Sequence, residues 1–154
     1  MHRQRSSREQ RNLEIVQATV RWQNEKNFDA FLGVLSDEFI WKSDALLPVP
    51  GFVQGKIQVR QALDCLYAVF PDIQLKEEFI SASGNTVTMV TRNFGTKTNG
   101  FMGLPPINRP WQFNANGIYT FNDQGLMIEN WFFWDRGWVL GQLGAIPDVS
   151  FIGR

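Results

Sequence analysis

The chemistry open to this chain is narrowed first by what it lacks. Its single histidine, His2, lies in the N-terminal tail, and its single cysteine, Cys65, falls between Leu63 and Leu66 in a helical pattern. Histidine triads, His metal sites, Cys clusters and intrachain disulfides are therefore excluded, and Cys65 reads as a small buried hydrophobe. The proton-moving groups that remain close to apolar segments are Lys42, Asp44 and Glu77, and Arg92 is the cation able to hold an anionic or enolate oxygen. Lys42 and Asp44 share one face of a short strand pattern, opposite Phe39 and Trp41. Simple alternation turns that charged face to water; catalysis needs it turned inward. Asp135 precedes a helix, and its default role is an N-cap.

Three asparagines, Asn114, Asn116 and Asn130, stand in two strands crowded with rings. Uncharged amides on an apolar wall can orient a ligand's carbonyl or hydroxyl groups without the desolvation cost of a charge, or can simply satisfy strand ends and water. The run from Leu126 to Gly144 has five aromatics within eight residues, and both alternating sets of a strand from Met127 to Asp135 are apolar, so that strand is covered on both faces.

The elements that must position these groups follow in order. Met1 to Ser7 is a flexible basic lead-in, and residues 8–154 form a single domain. Ser7 with Gln10 reads as a capping box for a helix to about Glu25. Asn27 caps a second helix, Phe28 to Leu35. Phe39 to Ser43 reads as a short strand, and a third helix starts after Gly55 and stops at Pro71. Strands Ile73 to Ser83 and Thr86 to Thr96 join at Gly84-Asn85, and a loop from Lys97 to Pro110 can serve as a rim or lid. Strand Trp111 to Asn122 turns through Asp123-Gln124-Gly125 into the last strand, and a terminal helix spans Arg136 to Leu143. Three N-terminal helices packed on a strongly curved antiparallel sheet give an α+β class, a cone-shaped α+β barrel enclosing a cavity.

Pairing Asn122 with Leu126 sets the register of the last hairpin. Asn116 then faces Phe132, Ile118 faces Asn130 and Asn114 faces Trp134 on the pocket side, joined by Trp22, Trp41 and Tyr67 as ligand-binding candidates. The other side, with Trp131 and Phe133, reads as a homodimer surface. In the first β-hairpin, Glu77 falls opposite Arg92.

Lys+Arg and Asp+Glu number 15 each in 154 residues, so no global field draws the chain to nucleic acid or an anionic membrane. With no apolar run of spanning length and no secretion signal, a cytoplasmic location is expected.

The segment FMGLPP at Phe101 to Pro106, the NDQG turn and the run IENWFFWDRGWVLGQLG, ending in Gln142 to Gly144, together resemble the SnoaL-like polyketide cyclases, over roughly Leu13 to Ile146. FPDI at Phe70 to Ile73 fits the same pattern. The resemblance implies the cone-shaped fold of the nuclear transport factor 2-like superfamily and ring closure by intramolecular aldol addition without metal or cofactor. It also implies an aspartate acid/base at the position of Phe132 and histidines near Ile118 and Lys42, none of which this chain has. A phenyl ring moves no proton. Two expectations result: an enzyme cyclising or isomerising an apolar oxygenated substrate with Asp44, Lys42 and Arg92 as its chemistry, or a non-catalytic domain of the same fold binding a hydrophobic ligand.

Overall fold

The computed structural model describes residues 5–43, 51–100, 103–144 and 146. Helix α1 (Ser7–Asn24) begins one residue earlier than the Ser7/Gln10 pairing predicts, because Ser6 and Glu9 form the capping box. Glu9 decides this. One carboxylate oxygen accepts from the Ser6 N–H at 2.8 Å and the other from the Gly84 N–H at 2.7 Å, fixing the helix start to the turn of a distant hairpin.

Helix α2 (Phe28–Gly33) is capped by Asn27, as its sequence predicts, and stops short of Leu35. Leu35 instead opens a nine-residue strand β1 (Leu35–Ser43), longer than the predicted Phe39 to Ser43. Strand β2 (Phe52–Gln54) and helix α3 (Lys56–Val69) follow. Cys65 lies on the open side of α3 and is exposed, not buried. The remaining elements are β3 (Gln74–Ser83), β4 (Thr86–Gly95), β5 (Trp111–Phe121), β6 (Met127–Trp134) and α4 (Arg136–Gln142), with Asp135 capping α4 by accepting from the Trp138 N–H.

The six strands are ordered β2-β1-β6-β5-β4-β3. All neighbours run antiparallel except β1 and β6, which are parallel, so the sheet is mixed where a purely antiparallel one was expected. The chain reaches β6 from β1 only after crossing the whole sheet, which permits a parallel pairing that a tight hairpin forbids. The helices cover one face and enclose a core built on Phe39, Phe70, Phe121, Leu63 and Met89, each almost fully buried.

The register shifts in three places, once in β1 between Leu35 and Ile40 and twice where it decides the candidate site residues. In β3 the register against β4 shifts between Glu77 and Phe79. In β6 it shifts beside Ile128: Phe121 pairs with Met127, but Thr120 pairs with Glu129 and Tyr119 with Asn130. Ile128 is an extra residue that bends the strand and moves every later pair by one. The loop after β4 is pinned, with Thr98 bridged to Ile107 and the Asn99 side chain donating to the Ala68 carbonyl at 2.6 Å. Past the end of β6, the Gln142 side chain from α4 takes over the ladder, accepting from the Gln112 N–H and donating to its carbonyl.

Candidate active site

Between the helices and the concave face of the sheet lies a cavity of about 60 Å³. That is room for about two water molecules at liquid density. Phe31, Leu66, Tyr67 and Gln23 close it from the helical side, and Phe113, Phe132 and Trp134 contribute rings from β5 and β6. Phe113 meets Trp134 at 5.7 Å between centroids in the wall, and behind it the ring packing continues into the core, where Trp111 stacks on Phe113 at 5.8 Å and meets Phe70 at 4.9 Å.

Four polar side chains enter this apolar setting from β4, β5 and β6, and Ser43 adds a hydroxyl from the end of β1. On β4, Asn93 donates to Thr91 at 3.1 Å, and both are buried. On β5 and β6, Tyr119 lies directly opposite Asn130, and the two side chains are hydrogen-bonded. Burial pushes the Tyr119 phenol well above its ordinary value, only partly offset by Asn130. Tyr67 is raised in the same sense by burial, and its hydroxyl donates to the Gln23 carbonyl at 3.0 Å. Both phenols are therefore neutral hydrogen-bonding groups at ordinary pH. No charged side chain lines the cavity among the described residues, so the arrangement orients a ligand through neutral contacts and aromatic surface.

Of the residues expected to bind, Trp41, Tyr67, Asn130, Phe132 and Trp134 line the cavity. Asn114, Asn116 and Ile118 do not. The bulge at Ile128 places Asn116 opposite Phe133 and Ile118 opposite Trp131, on the outer face, and the inward set of β5 is Phe113, Ala115, Gly117 and Tyr119. Trp22 packs against the core from α1 without reaching the cavity; its neighbour Gln23 does.

The charged candidates are likewise displaced. Lys42 points outward, paired with Glu129 at 2.8 Å and standing 5.7 Å over the Trp131 ring. Arg92 is bound to Glu78, which the β3 bulge brings beside it in place of Glu77. Its direct partner across the strands is Lys76, and it faces away from the cavity. Glu77 instead accepts from Gln17 of α1 at 3.1 Å. Asp44 lies outside the described residues. Among the described residues no group of His, Cys, Asp and Glu is placed to hold a metal ion, and no helix is long and apolar enough to cross a membrane.

Sequence reasoning missed Phe113, Tyr119, Thr91 and Asn93. The alternation of Val87, Met89, Thr91 and Asn93 marks one face of β4, and pairing that face across to β5 selects Phe113 and Tyr119 without reference to the turn.

The family model for SnoaL-like polyketide cyclase matches residues 13–143. A candidate SnoaL-like polyketide cyclase from Jannaschia sp. CCS1 superposes with a TM-score of 0.82 at 22% identity, covering 95% of this chain and 100% of the other. AclR, a candidate hydroxylase from Streptomyces galilaeus, gives 0.78 at 20% identity over 92% and 90% of the two chains. IdmH, a candidate polyketide cyclase from Streptomyces antibioticus, gives 0.73 at 22% identity over 86% and 98%. At these identities the likeness is one of fold, and the three names divide between cyclase, for two of them, and hydroxylase, for one. No curated protein matches the sequence.

Proposed function

Because the chain belongs to the SnoaL-like polyketide cyclase family, we propose that its cavity receives an apolar, oxygenated small molecule of polyketide or terpenoid type and promotes its cyclisation or isomerisation without metal or cofactor. The observation that carries this reading is the neutral polar cluster Tyr119, Asn130, Thr91 and Asn93 set into an otherwise aromatic wall. Once Phe132 turns aside to enlarge the cavity, the remaining rings face a planar body and the cluster fixes where its oxygens lie. Holding a flexible chain in a near-attack conformation is itself a large part of ring closure. Neutral donors in a dry site stabilise charge that develops on a carbonyl oxygen.

Phe132 occupies the position at which the family resemblance implies an aspartate, and its ring supplies surface to the cavity rather than a proton. Lys42 and Arg92 are committed to outer-face ion pairs. The base in this proposal is Asp44, the residue after the cavity-lining Ser43. The test is incubation of the protein with a linear aromatic polyketide ester carrying a ketone side chain, with the product followed by mass spectrometry. Ring-closed product with the wild type, lost in Asp44→Ala and reduced in Tyr119→Phe, is the expected result.

That no charged side chain lines the cavity among the described residues also favours a second reading, a domain that binds such a ligand and moves no proton. Saturable binding with no product, unaltered by Asp44→Ala, selects it. For the outer face we propose contact with a second copy of the chain. Trp131, 46% exposed, and Phe133, its ring 5.0 Å away, offer an apolar centre flanked by the Lys42–Glu129 pair.

A further inference from the structure

Three side chains form a row across the cavity floor: Trp41 on β1 lies beside Asn130 on β6, and Asn130 lies beside Tyr119 on β5, each the direct partner of the next. Asn130 is 6% exposed, and its side chain already bonds the Tyr119 hydroxyl. Its Oδ1 and the Trp41 Nε1 are nevertheless buried with no hydrogen-bond partner among the described residues. Leaving one such group unpaired is costly, and two on neighbouring residues lining the same cavity point to one bridging group that serves both: a water when the cavity holds no ligand, and a ligand group that displaces it otherwise.

The chemistry of that group is constrained. The indole Nε1 only donates and the amide Oδ1 only accepts, so the partner must accept from Trp41 and donate to Asn130 at once. A hydroxyl does both. A ketone or ether leaves Oδ1 unmet, and an N–H with no acceptor leaves the indole unmet. A carboxylate or phenolate is disfavoured further, since no cation lines the cavity among the described residues to compensate its desolvation.

We propose that Trp41 and Asn130 form a hydroxyl-recognition subsite, so that the ligand presents a neutral alcohol, phenol or enol to the floor of the cavity. The subsite rests on the reading of the cavity as a small-molecule site and narrows that reading to hydroxylated compounds. Tyr119, bonded to the far side of the same amide, holds Asn130 in the orientation that presents Oδ1.

Three probes of one ring size separate the possibilities: cyclohexanol, which donates and accepts; cyclohexanone, which only accepts; and methylcyclohexane, which does neither. Each is titrated into the full chain by calorimetry, with the Trp41 indole N–H resonance followed by nitrogen-15 NMR. Cyclohexanol is expected to bind about tenfold tighter than cyclohexanone, the scale set by one unmet buried group. The Trp41 resonance should move with cyclohexanol and stay in place with methylcyclohexane. Asn130→Leu should abolish the preference for the alcohol. Trp41→Phe, which removes the donor and keeps a ring, should weaken cyclohexanol and leave methylcyclohexane unchanged, and it serves if Asn130→Leu does not fold. If cyclohexanone binds as tightly as cyclohexanol, or if Trp41→Phe retains the full affinity for the alcohol, the subsite is overturned while the cavity remains a small-molecule site. If neither cyclohexanol nor methylcyclohexane enters, both readings fall.

Discussion

The ring of Tyr119 folds back over Gly117, two residues earlier on β5, so closely that a Cβ at position 117 would stand 2.6 Å from the ring. Gly117 thereby leaves the space from which Tyr119 reaches Asn130. Gly117→Ala must push a fully enclosed ring aside, and it is expected to cost about 1–3 kcal/mol of stability, as overpacking does. Denaturant unfolding measures the loss, and calorimetry with cyclohexanol should show weaker binding in the same variant. An unchanged midpoint would mean that the ring has another place to go.

Tyr67 and Tyr119 are the chain's only tyrosines, and burial raises both phenols above 10.0. The folded value lies above the unfolded one, so the stabilisation is complete below pH 10.0 and is lost as pH rises beyond it. The ultraviolet absorbance of the native protein should therefore show no phenolate step at pH 10.0, and ionisation should coincide with alkaline unfolding seen by circular dichroism. A separate early step would place at least one phenol in contact with water.

Lys42 and Arg92 sit in ion pairs whose side chains are 31–43% exposed. Pairs this wet contribute at most about 1 kcal/mol. Lys42→Ala and Arg92→Ala should each lower stability by no more than that and leave cyclohexanol affinity within about twofold, since neither side chain touches the cavity. A tenfold loss of binding in either would move that residue back into the site.

Phe132 is half-buried and lines a cavity of about 60 Å³, too small for a polycyclic guest unless a ring turns aside. Phe132→Ala removes that ring. It should admit 1-naphthol with at least about tenfold higher affinity, at a stability cost below the ~3–5 kcal/mol of a fully buried Phe→Ala. Equal naphthol affinity in the two proteins would show that Phe132 already swings clear.

Trp131→Glu places a carboxylate at the centre of the proposed contact between two copies. Light scattering should find twice the chain mass for the wild type and the single-chain mass for the variant, with circular dichroism unchanged. A monomeric wild type at micromolar concentration would remove that surface as an interface.

The sequence by itself determined most of the elements and the family. Local signals suffice for a helix capped by Asn27, a two-residue turn at Gly84-Asn85, a stop at Pro71 and the Asp135 cap, because each is an interaction within a few residues. The motifs from Phe101 to Gly144 likewise sufficed to indicate the family. The extra residue at Ile128, by contrast, is fixed by how β6 bends between β5 and the parallel β1, and no turn rule reports it. One residue of slip exchanges the two faces of a strand. That slip sends Asn114, Asn116 and Ile118 outward, brings Phe113 and Tyr119 inward, and sets Asn130 opposite Tyr119 in place of Ile118. The second bulge, in β3, gives Arg92 to Glu78 in place of Glu77. Residue types were legible because they are local; which of them share the cavity depended on long-range register, which only the packed sheet decides.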